Sequence, residues 1–486
     1  MFTSTAFASI LPEILILILG MLVLVVEPFW KEEQRRNVGW LTAGGLFAAM
    51  MISFLFGQPG EPTTTLGGMV RFDWLGFFFK MLFMFAGAAT ALLFMDNEKV
   101  GSRGEAYLLL LASLLGMNLM AVSSDLVMLY LAIETTSIPL YVLAGFMLGD
   151  SKSTEAGFKY LLFGALTSTV MLYGFSLLFG FTGTTDIYEL AGMLTSGGLS
   201  RIGAFGVLAL ILVGLGFKVS IVPFHFWAPD VYEGSPTPVA GFLSTASKAA
   251  GFAVLVRLFF AIFPNTTVPM AREWTITFAI LSAVSMTVGN LLALPQTNVK
   301  RLIAFSSIAH AGYALIGVVA LSQLGAASVV FYLAAYIATN LLAFGIVMAF
   351  SRVTGMEDLK DYSGMSRRNP TLALMMLAAF LSLAGMPPFG GFVAKIFVFA
   401  AGIEAGYYWL VIVGIINSII GVYYYLNAMK YVYLYRMPEQ DEENHPVPLT
   451  RPYMLALAVL ALGVILIGTI FAPWFSWSNA AALNLF

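Results

Sequence analysis

The 486-residue chain is 59% apolar and only 10% charged, with a net charge of −2, against about 25% charged residues in an ordinary soluble domain. That composition excludes a soluble globular protein and offers no basic footprint for nucleic acid. With no cysteine there is no disulfide, thiolate metal site or cysteine-ligated iron–sulfur cluster, and no glycine-rich nucleotide loop is present.

Apolar runs near 20 residues long predict fourteen spans, at roughly 8–28, 38–56, 74–95, 105–123, 126–148, 157–181, 202–223, 237–263, 274–294, 301–321, 327–350, 371–403 with a break, 407–435 and 453–473. The first twelve residues carry no Lys or Arg, so the first span is expected to be retained rather than cleaved as a signal peptide. The longest polar connectors, 57–73, 183–201, 351–370 and 436–451, leave no room for a soluble domain. The odd connectors and their margins hold 15 basic residues and the even ones 3. The positive-inside rule therefore places the odd connectors in the cytoplasm and both termini outside. Trp30, Trp40, Trp74, Trp274, Trp409 and Trp474 fall near span ends, as an aromatic belt requires.

Six basic residues lie within spans or at their margins: Lys80, Lys159, Lys218, Lys248, Arg257 and Lys395. A charge in hydrocarbon costs several kcal/mol and marks a functional position by default. In the fifth span Glu134 is the one deep carboxylate. With Lys218 of the seventh it makes a candidate buried pair, whose separation would decide whether the lysine keeps its proton. A static pair that only fixes packing is the competing reading, and a poor source of stability. Lys248 sits in FLSTASKAAGF, a face of small and hydroxyl-bearing residues suited to a relay. Lys395 follows Pro387 and Pro388, where a broken helix opens backbone groups to water.

Lys159, near the cytoplasmic start of the sixth span, serves equally as a relay or a snorkelling side chain. Lys80 and Arg257 read as structural. Glu105 opens the fourth span, where a helix N-terminus also favours an acid. His225 and His310 are candidate relays that could equally bond the backbone or pack. With His445 they are too scattered for a haem or zinc site, so no metal or cofactor is expected in this chain.

Pro223-Phe224 in the seventh span and Pro388-Phe389 in the twelfth lie five spans apart. A five-span unit repeated in tandem is inverted the second time, and matched broken helices point to a transport site.

Three stretches carry a family resemblance: GLGFKVSIVPFHFWAPDVYEGSPTPVAGFLSTASKAAGF, NLLALPQTNVKRLIAFSSIAHAGYALIG and LSLAGMPPFGGFVAKIFVF. They resemble the antiporter-like membrane subunits of proton-pumping NADH–quinone oxidoreductase (respiratory complex I), on the branch called chain N in bacteria and subunit 2 in mitochondria. The likeness runs from about Glu105 to Tyr435. It implies an all-α fold of fourteen helices, with inverted five-helix repeats at helices 4–8 and 9–13 and breaks in helices 7 and 12. The matching segments are 1–104, 105–263, 264–436 and 437–486. By match of position it implies Glu134, Lys218, Lys248 and Lys395 as the proton path, with Lys159 a further helix-six lysine. Unlike the family's largest member, the chain is expected to carry no extra spans or lateral helix.

Flavin, iron–sulfur clusters and quinone are then expected in partner subunits, with lipid around this chain. The implied setting is the bacterial inner membrane, beside other antiporter-like subunits. A subunit of a multi-subunit sodium/proton antiporter and a passive scaffold are the competing readings. Independent substrate transport is disfavoured, since no polar pocket is evident beyond the charges.

Overall fold

The computed structural model describes residues 4–195, 200–263, 270–436, 447–483 and 485; His445 lies outside them. Thirteen helices among the described residues are long and apolar enough to span a membrane. They are α1 (Leu11–Val26), α2 (Val38–Phe56), α3 (Trp74–Phe94), α4 (Gly104–Val122), α5 (Leu126–Ala144), α6 (Ser151–Thr182), α7a (Arg201–Val219), α8 (Thr237–Ile262), α9 (Ala271–Ala293), α10 (Val299–Val319), α11 (Gln323–Thr354), α13 (Tyr408–Tyr433) and α14 (Arg451–Thr469). The fourteenth crossing is made by two halves, α12a (Pro370–Ala384) and α12b (Gly390–Glu404). All-α polytopic architecture is therefore as expected.

Three details differ from the sequence expectation. The seventh helix stops at Val219, ahead of Pro223, and resumes as the short α7b (Trp227–Gly234). The 57–73 connector folds a hairpin of β1 (Thr63–Thr65) and β2 (Val70–Phe72). Beyond α14 a further helix, α15 (Phe471–Leu483), packs back onto α11 and α3.

Helix starts follow from polar caps. Asp73, Asp125, Asp150, Asn298 and Ser322 each accept a backbone N–H of the first turn, satisfying donors that have no partner within the helix. The most apolar windows of α8, α10 and α11 are wholly buried, whereas those of α1 and α6 are one-third buried. The three buried helices form the centre of the bundle, and the exposed Leu, Ile and Phe of the outer helices face hydrocarbon.

Buried ion clusters test the alternation of connectors. Asp96, between α3 and α4, holds Arg36 of the α1–α2 connector at 3.2 Å, Arg352 at the end of α11 at 2.9 Å, and the Thr450 hydroxyl ahead of α14 at 2.6 Å. All of these belong to odd connectors. Asp73, between α2 and α3, takes both Arg257 guanidinium NH groups at 2.7 and 2.8 Å, and Arg257 donates to Tyr188 at 2.7 Å. These lie on even connectors or at the even end of α8. Odd meets odd and even meets even, so consecutive helices cross in opposite directions.

The repeat is clearest in the backbone. Leu126 N–H donates to Thr185 and Ile187 to Ser124, each at 2.9 Å. Val299 N–H donates to Glu357 and Leu359 to Thr297 at 2.9 and 2.8 Å, tying α10 and α11 as α5 and α6 are tied. Both α6 and α11 have 32 residues. Ile221 N–H reaches back to Gly216 as Met386 reaches Leu381, and Phe224 to Ile221 as Phe389 to Met386. Both breaks contain a cis proline, Pro223 and Pro388. Helices α4–α8 and α9–α13 are thus two copies of one unit. Since α4 starts on the odd face and α9 on the even one, the copies are inverted.

Candidate proton path

Helix α5 carries Glu134 and, one turn on, Ser137. The hydroxyl of Ser168 on α6 donates to Glu134 Oε1. Lys218, 5% exposed near the end of α7a, donates from Nζ to Ser137 Oγ at 2.8 Å. The pair considered from sequence is thus not in contact: lysine and carboxylate each take a serine instead, within electrostatic reach of one another. Gly251 of α8 lies over the Lys218 stem, where a Cβ would come 3.2 Å from its Cγ. That close approach carries Lys248, one turn earlier on α8, into the same layer.

A π-helical stretch, Leu243–Ser247, immediately precedes Lys248; such bulges often mark functional positions. Lys248 Nζ donates to the carbonyl and hydroxyl of Ser307 on α10, at 2.8 and 3.0 Å. One turn further, His310 Nδ1 lies 2.6 Å from the Tyr332 hydroxyl of α11 and Nε2 lies 3.5 Å from that of Tyr425 on α13. Tyr425 is itself bonded to Ser306. A small cavity beside the His310 ring is lined in part by Leu383, whose carbonyl accepts from Lys395. Ser307 and His310 stand as far after the cap Asn298 as Glu134 and Ser137 stand after Asp125. The second repeat thus places a hydroxyl and an imidazole where the first has a carboxylate and a hydroxyl.

Lys395 of α12b turns back across the break. Its Nζ donates to the carbonyls of Leu383 and Ala384 at 3.1 and 3.0 Å, the negative end of α12a, and lies 4.7 Å above the Tyr313 ring. Gly385 makes the room: its φ is +83°, and a Cβ there would sit 2.7 Å from Lys395 Cδ. Gly385→Ala is expected to cost about 1–2 kcal/mol from the left-handed backbone and to push the ammonium out of its cradle. Thermal inactivation and proton pumping of the assembled protein would both register it; unchanged pumping would show that the cradle position is immaterial.

Among the described residues, no carboxylate stands within ion-pair distance of Lys218, Lys248 or Lys395; their partners are hydroxyls and carbonyls. The other candidates make none of these contacts. Glu105 is exposed at the start of α4. Lys159 is one-third exposed and bound to Asp230 and Glu155 at 2.6 and 2.7 Å, in an odd-face network with Arg301 and Glu233. Burial would raise the carboxyl of Asp230, but Lys159 and Arg301 outweigh it and hold it below its usual value. His225 is buried at the α7 break beside Phe226. Sequence reading missed Ser137, Ser168, Ser307, Tyr332 and Tyr425. The one available signal was the helical spacing of Ser137 from Glu134 and of Ser307 from His310; Ser168, Tyr332 and Tyr425 come from other helices.

Pro223, Pro387 and Pro388 are exposed at their breaks. The described residues contain no group of three His, Cys, Asp or Glu placed to hold a metal.

Comparison with known proteins agrees with this geometry. The family described as NADH:quinone oxidoreductase/Mrp antiporter, TM, matches residues 123–421. NADH-quinone oxidoreductase subunit N of Moorella thermoacetica is 42% identical over 98% of both chains, and that of Heliobacterium modesticaldum 38% identical over 99% of this chain and 100% of its own. A chain of respiratory complex I from Thermus thermophilus, solved with bound aureothin, superposes with a TM-score of 0.80 at 31% identity, covering 96% of this chain and 98% of its own. A chain of the Mrp complex from Dietzia sp. shares the fold, with a TM-score of 0.83 at 20% identity, covering 100% of this chain and 98% of its own. Buried lysines, paired broken helices and near full-length matches converge: the chain belongs to the NADH:quinone oxidoreductase/Mrp antiporter family, among the NADH-quinone oxidoreductase N subunits.

Proposed function

We propose that this chain is a proton-translocating membrane-arm subunit of a respiratory NADH–quinone oxidoreductase, driven by quinone reduction in partner subunits. The supporting observation is a contrast between two kinds of buried charge. Arg257 meets Asp73, Lys80 meets Glu13 at 2.8 Å, and Asp96 meets two arginines; each has its counter-ion in contact. That is how this fold builds a static charge. Among the described residues, Lys218, Lys248 and Lys395 have only neutral partners, which suits groups that must exchange protons. Likeness to the Mrp chain is one of fold and gives the sodium/proton antiporter reading no separate support.

On this reading Lys218, parted from Glu134, gives its proton through Ser137 toward Lys248. Ser307 and His310 then lead toward Lys395. The small cavity beside His310, with Tyr332, Tyr336, Thr339 and Ser382 among its lining residues, has room for about one water molecule. Return of Lys218 to Glu134 resets the first site, since a neighbouring carboxylate favours the charged lysine. Flavin, iron–sulfur clusters and quinone belong to partner subunits, and the redox chemistry takes place there. The odd face lies in the cytoplasm and both termini outside, in the inner membrane. The segments divide at 1–104, 105–263, 264–436 and 437–486.

Lys248→Ala tests the reading. In vesicles carrying the assembled complex, proton uptake is expected to collapse while the complex still assembles. Normal uptake at normal yield would reduce Lys248 to a packing group and leave the scaffold reading standing.

A further inference from the structure

We propose that the cleft between α2, α3, α11, α14 and α15 is a lipid site that holds the acyl chains of a bilayer phospholipid. The cleft measures about 800 Å³. Its walls include Met50 and Phe54 of α2, Met81 and Phe85 of α3, and Ala334 and Ala338 of α11, and among the described residues no charged side chain lines it. It exists because small residues face large ones: a Cβ on Gly463 of α14 would meet only the Ala338 methyl, at 3.7 Å.

Physics limits the occupant. Water entering it would find hardly any polar partner, and an ordered water needs two to four. An empty void of this size would forfeit the dispersion contacts of its whole lining. The surrounding medium of a spanning bundle is hydrocarbon, which supplies those contacts at no cost in lost hydrogen bonds.

Depth is set by three tryptophans and one amide. Trp74 opens α3, Gln58 follows α2, and Trp474 and Trp477 lie on α15 beyond α14. All four belong to the even face, the level at which indole rings mark the headgroup boundary. The lipid therefore enters from the leaflet of that face. With no charge at the mouth, the site selects chains rather than headgroups.

The cleft backs directly onto the path. Ala334 and Ala338 share α11 with Tyr332, the partner of His310. Phe475 of α15 stacks on Phe397 at 3.8 Å, two residues beyond Lys395 on α12b. The occupant completes the packing behind α11 and keeps water from the rear of the relay.

The inference stands on membrane embedding alone, so its failure leaves the proton reading untouched. A phospholipid with a photoactivatable diazirine in its acyl chain is incorporated into vesicles bearing the assembled complex. The complex is then extracted and washed in lipid-free detergent before irradiation, so that only retained lipid reacts. Wild type is expected to carry the label on peptides of α2 and α3. Gly463→Phe, and independently Ala480→Phe from α15, are expected to lose it. Ile419→Phe, on an exposed position of α13, is expected to keep it. No label on the wild-type cleft, label unchanged in both filling variants, or label on a partner subunit seated there would each overturn the proposal.

Discussion

Lys218→Ala is expected to abolish proton pumping while the complex assembles in normal yield. The ammonium is buried, and its one hydrogen-bond partner among the described residues is the Ser137 hydroxyl. Removing it leaves no carboxylate stripped of a contacting counter-ion, because Glu134 is held by Ser168. The fold therefore tolerates the loss, and on the proposed path proton transfer does not. A positioned proton-transfer group contributes about 10²–10⁴-fold, so pumping should fall by at least about 100-fold if every proton passes this point. Lys218→Arg sharpens the test. Guanidinium keeps the positive charge yet does not release its proton. A scaffold would accept the arginine, whereas a relay is expected to fail with it. Ser137→Ala should slow pumping less, since Lys218 retains Glu134 one turn away as an alternative partner. Proton uptake and quinone reductase activity measured on the same vesicles decide the matter. Normal pumping by Lys218→Arg would mean that only the charge matters.

The second large effect is on stability. Arg257→Leu is expected to destabilise the subunit by up to about 3–5 kcal/mol, the usual result of removing one member of a buried pair, less what Arg71, 3.3 Å from the same carboxylate, still compensates. Both partners are essentially inaccessible, the contact is bidentate, and Arg257 also donates to the Ala121 carbonyl. Adding Asp73→Asn should recover part of the loss, because the buried carboxylate, left with Arg71 as its remaining basic partner, is then neutral. Burial on its own would raise the Asp73 carboxyl, but Arg257, the Gly76 N–H and Arg71 outweigh it and hold it below its usual 3.8. A depressed carboxylate contributes stability that is fully present above the unfolded value and lost as pH falls through the folded one. The pair should therefore hold at neutral pH and weaken only below about pH 4. Thermal unfolding of the purified complex against pH measures this. An Arg257→Leu transition at the wild-type temperature would contradict it.

Spans and lysines were legible because each is a violation in its setting: a polar break in an apolar run, a cation in hydrocarbon. Partner choice was not legible. Glu134 and Lys218 looked like a pair because they are the charges at hand, but serine hydroxyls came between them. Serine is common enough in membrane helices that Ser137 and Ser307 carried no signal alone. Lys159 and Asp230 meet across 71 positions, on a helix-seven fragment whose start depended on where α7a stopped. The repeat survived in sequence as little more than Pro-Phe, because backbone bonds maintain it and almost any side chain permits those. The cleft was invisible for a related reason: it consists of side chains that Gly463, Ala334 and Ala338 do not have.

The two ion clusters at the faces also have a mechanical consequence. Asp96 ties three other chain segments to its own at one surface, and Asp73 with Arg257 locks several at the other. Between them lies a layer of serines, tyrosines and lysines held by neutral contacts. In an engineer's terms the subunit has two rigid flanges and a compliant web. The breaks of helices 7 and 12 are exposed between the flanges, so a displacement there along the membrane plane would shift Lys218 and Lys395 without parting either ion cluster.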